Sequence, residues 1–150
     1  MLLYRLTKCI YADDLSGAGA KAYGGRWNSK GNAMIYMASS RALAVLEVLV
    51  HLPPTIIPNN YCMITMQAPD DFDNFDAGNL PDDWTASPDD YNVKKIGDRF
   101  LSENKNLLLK VPSSIVSEEF NFLANPLHAL ASKLVIVKTE PFSFDSRLLN

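Results

Sequence analysis

Short apolar runs along the chain predict several β-strands. In residues 1–7, Tyr4 and Leu6 fall on one face and Arg5 on the other, which is the two-residue period of a strand. Proline, serine or aspartate follows most of the other runs closely, as is typical of strand ends. These further strands are predicted at residues 33–38, 60–67, 107–111, 134–138 and 142–145, the last two forming one or two closing strands.

A nearly continuous apolar run predicts a helix that begins at about Arg41. Ser39 or Ser40 is suited to cap its amino terminus, and the helix must end before the prolines at residues 53 and 54. Apolar residues lie on all sides of this segment, so we expect it to be buried over most of its surface. Its one carboxylate, Glu47, is therefore expected either to pair with another polar group or to serve a function.

A second helix is predicted at residues 92–103, because Val93, Ile96, Phe100 and Leu101 have helical spacing. Gly97 weakens this prediction slightly, since glycine lowers helix stability. Residues 16–20, with the sequence SGAGA, are predicted to form a flexible loop, and residues 23–28 a tight turn. Residues 118–130 are predicted to be irregular or to contain one helical turn.

This order of elements predicts an α+β fold. Five or six short strands and two helices do not alternate strictly, which argues against a doubly wound parallel sheet. With 150 residues, of which 47% are hydrophobic, the chain is long enough for one ordinary core and too short to expect two. We therefore expect residues 1–150 to form a single domain.

Charge is distributed unevenly along the chain, whose formal net charge is −3. All 14 lysines and arginines lie in residues 1–41 or 94–150, and residues 70–90, which we call the acidic segment, contain eight aspartates. Because clustered cations are needed to neutralise phosphates, double-stranded nucleic acid is not expected to be a ligand. The acidic segment is expected to be a solvated surface loop, with docking of a basic partner as the alternative.

Neither a signal peptide nor a membrane-spanning segment is expected, which favours a cytoplasmic location. The amino terminus lacks the basic start, apolar run and cleavage site of a signal peptide. The longest apolar run, residues 42–52, is interrupted by Glu47 and His51 and is shorter than the roughly 20 residues that a bilayer requires. Cys9 and Cys62 could pair in principle, but we expect both to be reduced core residues.

Glu47 and Arg26 are the two strongest candidates for chemistry. A carboxylate on an apolar helix either pairs with an arginine or with His51, or serves at a functional site. Arg26 follows two glycines that let the backbone approach a ligand, and its guanidinium can bind phosphate or carboxylate through two hydrogen bonds. An ion pair between Arg26 and Glu47 would explain both residues without any function.

Other common catalytic arrangements are poorly represented in the sequence. Glu47, His51 and His128 could be considered as metal ligands, but two histidines without an HExxH or Cys-x-x-Cys motif do not predict a metal site. Ser113 and Ser114 do not lie in a nucleophile elbow. The sequence also lacks the glycine motifs of Walker and dinucleotide-binding loops.

Five ordered blocks of the sequence resemble one family. They are GGRWNSKG, IYMA, ALAVLEVLVHL, VPSSIVSEEFNFLANPLH and FSFDSRL. Together they closely resemble the RES domain family, which is named for its arginine, glutamate and serine and whose members are toxins of bacterial toxin–antitoxin pairs. The resemblance runs over about residues 4–148, and Arg26 and Glu47 fall on two of the three naming positions.

The resemblance implies an ADP-ribosyltransferase-like mixed sheet and an activity on NAD. The implied reaction cleaves the bond between nicotinamide and ribose with water or inorganic phosphate, so phosphate is a candidate co-substrate and no metal is required. The implied partner is a helix-turn-helix antitoxin of the Xre type, which blocks the active site and assembles with the toxin into a larger complex. The alternatives are a protein ADP-ribosyltransferase that uses NAD and a catalytically inactive protein that only binds its antitoxin.

The same resemblance implies roles for the charged candidates. Glu47 would hold a ribose hydroxyl and stabilise the positive charge that develops on the ribose as nicotinamide leaves. Arg26, together with Arg5 from the first strand, would bind the pyrophosphate or place the nicotinamide ribose.

The uncharged candidates follow from the same blocks. Tyr36 would stack on nicotinamide, or else pack on its strand without contacting a ligand. Ser113, with Ser114 as the second choice, would hydrogen-bond ribose or phosphate. Asn125, in the NP pair of the fourth block, is a further candidate for binding NAD. Weaker candidates are His51 and His128.

Overall fold

One mixed β-sheet organises the protein, whose computed structural model describes residues 1–149. Seven strands lie in the order β4-β5-β6-β2-β1-β3-β7, and all neighbours are antiparallel except β4 and β5. The strands are β1 (Leu2–Lys8), β2 (Ile35–Ala38), β3 (Tyr61–Gln67), β4 (Phe72–Asn74), β5 (Leu108–Pro112), β6 (Phe120–Ala124) and β7 (Val135–Phe142). The α-helices are α1 (Ala18–Tyr23), α2 (Arg41–Leu49) and α3 (Tyr91–Glu103). The predicted α+β class is confirmed.

Helices α2 and α3 cover the same face of the sheet. Leu43 and Ala44 of α2 pack with Ala38, whereas Val93 of α3 lies in a cluster that contacts Tyr36. Tyr36 and Ala38 are two residues apart on β2, so they point to the same side of the sheet. The opposite face carries a third cluster, which includes Leu3, Ile35, Met37, Ile64, Met66 and Phe122.

Both long helices lie close to where the sequence predicts them. The Ser40 hydroxyl accepts a hydrogen bond from the backbone N–H of Leu43 (3.1 Å), which makes Ser40 the N-cap of α2. The expectation that α2 is buried on most sides is wrong, because Leu43 and Ala44 are its buried residues. One side of α2 faces the sheet, and Val50 just beyond it is 54% exposed.

Three segments contain elements that the sequence did not predict. Helix α1 begins within residues 16–20, which were expected to form a loop, because alanines there favour a helical turn. Strand β6 lies within residues 118–130, which were expected to be irregular. The acidic segment contains β4, whose short run pairs in parallel with β5 at the sheet edge.

Cys9 and Cys62 form a disulfide, with their Cα atoms 4.9 Å apart, so the prediction that both are reduced is wrong. Strands β1 and β3 pair along their length, which places Thr7 opposite Cys62 and Cys9 just beyond the strand end. The spacing of 53 residues in the sequence carried no information about this register. None of the helices within residues 1–149 is long and apolar enough to cross a membrane.

Gly97 allows α3 to approach the turn around Trp27. A Cβ atom at residue 97 would collide with the Trp27 carbonyl oxygen, so this glycine is a packing requirement and not only a weakness of the helix. We expect Gly97→Ala to lower the free energy of unfolding by about 1–3 kcal/mol, because the helix or the turn must move. Chemical denaturation measures this change.

Gly19 in α1 provides the matched control for that substitution. A Cβ atom there would meet no atom within 4 Å, and Gly19 does not have a positive φ. Gly19→Ala should therefore leave stability unchanged or raise it slightly, since alanine favours helix. An equal effect of the two substitutions would show that the α3 contact with Trp27 does not constrain the fold.

Candidate active site

A cleft of about 830 Å³ opens where β1 and β2 separate. These two strands pair at one position, Tyr4 with Ala38, and both strands line the cleft around it. Helix α2, the turn before β2 and the end of β5 also line the cleft. The volume is in the range of small-molecule sites. Four of the leading predicted site residues line it, namely Arg5, Arg26, Tyr36 and Glu47, as do the weaker candidates His51 and Ser114.

The Glu47 carboxylate is held by two uncharged donors. Its Oε1 atom accepts hydrogen bonds from the Ser113 hydroxyl (3.0 Å) and from the Asn121 side-chain amide (2.5 Å). None of the ion pairs among residues 1–149 includes Glu47, so the pairing with Arg26 or His51 that was considered above is absent from this part of the chain. The carboxylate is thus fixed in place without being neutralised by a cation.

Ser113 is buried directly after β5 and is oriented by the backbone that follows it. Its Oγ accepts hydrogen bonds from the N–H groups of Ile115 (3.1 Å) and Val116 (3.2 Å). Its hydroxyl hydrogen is therefore directed to Glu47. This arrangement suits a residue that holds the carboxylate, whereas Ser114 is the serine of this pair that lines the cleft.

Arg26 lies in the cleft and contacts the acidic segment. One terminal nitrogen, Nη1, donates to the carbonyl oxygens of Trp84 (2.8 Å) and Ser87 (3.1 Å). The guanidinium carbon lies 5.7 Å from the centre of the Trp84 ring, within reach of a cation–π interaction. The acidic segment therefore forms part of the cleft wall, where Thr85, Pro88 and Asp89 also contribute.

Tyr36 and Asn28 hold the turn that carries Arg26. The Tyr36 hydroxyl donates to Asn28 Oδ1 (2.6 Å) and accepts from the Trp27 N–H (3.0 Å), and Asn28 is fully buried. Burial raises the pKa of the Tyr36 hydroxyl well above its ordinary value. Both functions of that hydroxyl are used within the turn, so the ring is the part of Tyr36 that remains for a ligand. A side chain at Gly25 would collide with the hydroxyl.

Helix α3 holds the same turn from the other side. Asp98 accepts hydrogen bonds from the Ser29 N–H (2.9 Å), the Ser29 hydroxyl (2.6 Å) and the Asn32 amide (2.8 Å). Burial raises the pKa of Asp98, but these hydrogen bonds and the nearby Lys94 outweigh it, so the pKa lies below its ordinary value. Lys94 donates to the Gly25 carbonyl oxygen (2.8 Å) and lines the cleft.

Arg5 reaches the cleft from β1. Its Nη1 atom donates to the backbone carbonyl oxygen of Asp14 (2.7 Å). Burial lowers the pKa of the guanidinium, while the Asp14 carboxylate opposes that shift. Because arginine keeps its proton at all physiological pH values, Arg5 supplies positive charge to this wall.

Asn125 and His128 lie outside the group of residues that line the cleft. The Asn125 amide donates to Asn104 Oδ1 (2.8 Å), and its oxygen accepts from the Leu127 N–H (3.0 Å), so this side chain ties the end of α3 to the segment after β6. His128 accepts a hydrogen bond from the Leu130 N–H, whereas His51 lines the cleft. Residues 1–149 contain no group of three or more side chains suited to hold a metal ion.

Comparison with known proteins identifies relatives over nearly the whole chain. The Prs ADP-ribosylating toxin of Sphingobium sp. is 42% identical over 142 residues, covering 92% of this chain and 88% of that protein. The protein named Toxin Res of Photorhabdus laumondii is 38% identical over 152 residues, covering 99% of this chain and 97% of its own length. The Toxin Res of Yersinia enterocolitica is 37% identical over 151 residues, covering 99% of both chains.

A solved structure shares the fold, and a family model matches the sequence. A chain in the crystal structure of the M. tuberculosis MbcT–MbcA toxin–antitoxin complex superposes with a TM-score of 0.74 and 20% identity, covering 95% of this chain and 84% of that one. The model of the RES domain matches residues 2–145. With this match and relatives of such similarity over nearly its whole length, the chain belongs to the RES domain family.

Proposed function

We propose that this protein is the toxin of a bacterial toxin–antitoxin pair and consumes NAD by cleaving the bond between nicotinamide and ribose. The observation that carries the proposal is a carboxylate, Glu47, held by two uncharged donors in a cleft that also contains Arg5 and Arg26. The names of the relatives, Toxin Res and Prs ADP-ribosylating toxin, support the same assignment.

The proposed reaction needs a negative charge near the ribose. As the glycosidic bond breaks, nicotinamide leaves with the bonding electron pair and the ribose acquires oxocarbenium character. The Glu47 carboxylate would stabilise that positive charge and accept a hydrogen bond from a ribose hydroxyl. Because its hydrogen bonds are already formed, little reorganisation is required when the charge develops.

The arginines suit the other end of the substrate. The NAD pyrophosphate carries negative charge, and guanidinium groups bind phosphate oxygens through paired hydrogen bonds. Arg26 would exchange its contacts with the Trp84 and Ser87 carbonyl oxygens for the pyrophosphate, and Arg5 would add a second positive charge. The Tyr36 ring, whose hydroxyl is held by the turn, would stack on nicotinamide.

Water or inorganic phosphate would then capture the ribosyl cation. Water gives ADP-ribose and a released proton, and phosphate gives ADP-ribose-1-phosphate. Transfer of ADP-ribose to a protein is the second candidate, and the name of the relative from Sphingobium favours it. We place the reaction in the cytoplasm.

The disulfide between Cys9 and Cys62 lies apart from the cleft. Neither cysteine lines it, so the proposed reaction does not depend on their redox state.

An antitoxin would control this activity by covering the cleft. The related fold in a toxin–antitoxin complex supports such a partner. We propose that the antitoxin is a helix-turn-helix protein of the Xre type and that the two assemble into a higher-order complex.

Product analysis distinguishes the acceptors. Purified protein, free of antitoxin, is incubated with NAD labelled in the adenosine half, with and without added phosphate, and the products are separated by chromatography. We expect ADP-ribose without phosphate and ADP-ribose-1-phosphate with it. Label retained on protein would instead select transfer, and unchanged NAD in all conditions, with a folded protein, would overturn the proposal.

A further inference from the structure

Asn121 occupies a rigid position beside Glu47. It lies on β6, paired on one side with Ala38 of β2 and on the other with Val111 of β5. Backbone ladders on both sides fix the direction of its side chain. Asn121 also lines the cleft.

The two donors to Glu47 converge on one oxygen. The Asn121 Nδ2 atom lies 2.5 Å from Oε1, and the Ser113 Oγ atom lies 3.0 Å from the same Oε1. Within residues 1–149, the Glu47 side chain accepts these two hydrogen bonds, and its Oε2 atom receives none. One oxygen is thus anchored, and the other is available to a ligand in the cleft.

These two donors are held in place by different parts of the fold. The Ser113 hydroxyl is fixed by two backbone N–H groups on a loop, whereas the Asn121 amide projects from the middle of the sheet. An amide remains a donor at every pH and does not neutralise the carboxylate. Two donors to the same oxygen restrain the rotation of the carboxylate about its last bond.

We propose that Asn121 is a positioning residue for the cleavage of NAD, which anchors Oε1 of Glu47 so that Oε2 meets the ribose. This inference rests on the proposed function, and it assigns the asparagine a role through Glu47 and not through the substrate. Loss of the Asn121 hydrogen bond leaves the negative charge of Glu47 in the cleft, but the carboxylate is no longer held in one orientation. The effect therefore falls on turnover and leaves substrate binding nearly unchanged.

Asn121→Leu tests this role, because leucine has a similar size and cannot donate. We expect kcat for nicotinamide release to fall by about 10- to 100-fold, the cost of losing one hydrogen bond to a charged group. The KM for NAD should stay within about 3-fold, as expected when ground-state binding is retained. Asn121→Asp should lower kcat further, since a second carboxylate repels Glu47.

Asn74→Leu is the matched control. It makes the same chemical change on β4, where Asn74 is exposed and outside the cleft, and it should leave kcat unchanged. Thermal unfolding of each variant checks that the sheet is intact. A raised KM with normal kcat in Asn121→Leu would overturn the positioning role, and so would a kcat within about 3-fold of wild type.

A crystal structure of Asn121→Leu separates this inference from the proposed function. The anchor predicts that the Glu47 carboxylate rotates or becomes disordered in the variant, whether or not the protein cleaves NAD. A wild-type protein that releases no nicotinamide would overturn the proposed function and the part that Asn121 plays in it, but not the anchoring of Glu47 by Asn121. A Glu47 carboxylate that keeps its wild-type position in the variant would overturn the anchor.

Discussion

Glu47→Gln should lower the rate of nicotinamide release by about 10³-fold while NAD binding is largely retained. Glutamine keeps the shape of the side chain, and its carbonyl oxygen can still accept the hydrogen bonds from Ser113 and Asn121. What it loses is the negative charge that stabilises the ribosyl cation, and removal of one such electrostatic interaction costs about two to three orders of magnitude. Single-turnover kinetics measure the rate, and calorimetry measures the affinity for NAD.

Glu103→Gln is the control for this substitution. Glu103 lies at the end of α3, pairs with Arg99 and Lys105, and does not line the cleft. Glu103→Gln should leave the rate of nicotinamide release unchanged. If Glu47→Gln retained the wild-type rate, Glu47 would be a structural residue held by Ser113 and Asn121, and the proposed chemistry would lose its central group.

Arg26→Ala should weaken NAD binding by about 10- to 100-fold. A charge-assisted hydrogen bond to phosphate contributes roughly 1.5–3 kcal/mol, and alanine removes it. The affinity is best measured in a Glu47→Gln background, where NAD is not consumed during the titration. Arg99→Ala, which removes an exposed arginine of α3 outside the cleft, should leave the affinity unchanged.

Arg26 also has a structural contact that this experiment can separate from ligand binding. Its guanidinium holds the carbonyl oxygens of Trp84 and Ser87 in the acidic segment. If that contact were its whole role, Arg26→Ala would lower thermal stability without changing the affinity for NAD. Unchanged affinity would therefore remove Arg26 from the proposed binding site.

Local sequence signals predicted the two longer helices, α2 and α3, but not the short helix α1 or the order of the strands in the sheet. Ser40 and the prolines after residue 52 limit α2, and helical spacing locates α3, because caps and periodicity act over a few residues. The order of the strands depends on contacts between distant segments, such as Cys62 against β1. How much of α2 is buried also depends on the elements that pack against it. The apolar sequence of this helix therefore led to an overestimate of its burial.

The candidate site also combines residues that local sequence identified with residues that only the fold reveals. Arg26 was recognisable from the two glycines before it and Glu47 from the apolar helix around it, whereas Tyr36 was selected through the family resemblance. The fold brings all three to one cleft. Asn121 was missed because the short strand that carries it, β6, is flanked by polar residues, and the segment around it was predicted to be irregular. The nearby Asn125 was selected for its NP pair, but it lies directly after β6, does not line the cleft, and donates a hydrogen bond to Asn104 at the end of α3.

The proposed function requires that the anchored carboxylate of Glu47 acts in cleavage of the nicotinamide–ribose bond. The most direct measurement is the time course of nicotinamide release from NAD by purified, folded protein that has been freed of antitoxin. We expect nicotinamide to appear in step with the loss of NAD, over many turnovers if water or phosphate is the acceptor. Absence of nicotinamide after prolonged incubation, with and without phosphate and with a candidate protein acceptor present, would contradict it.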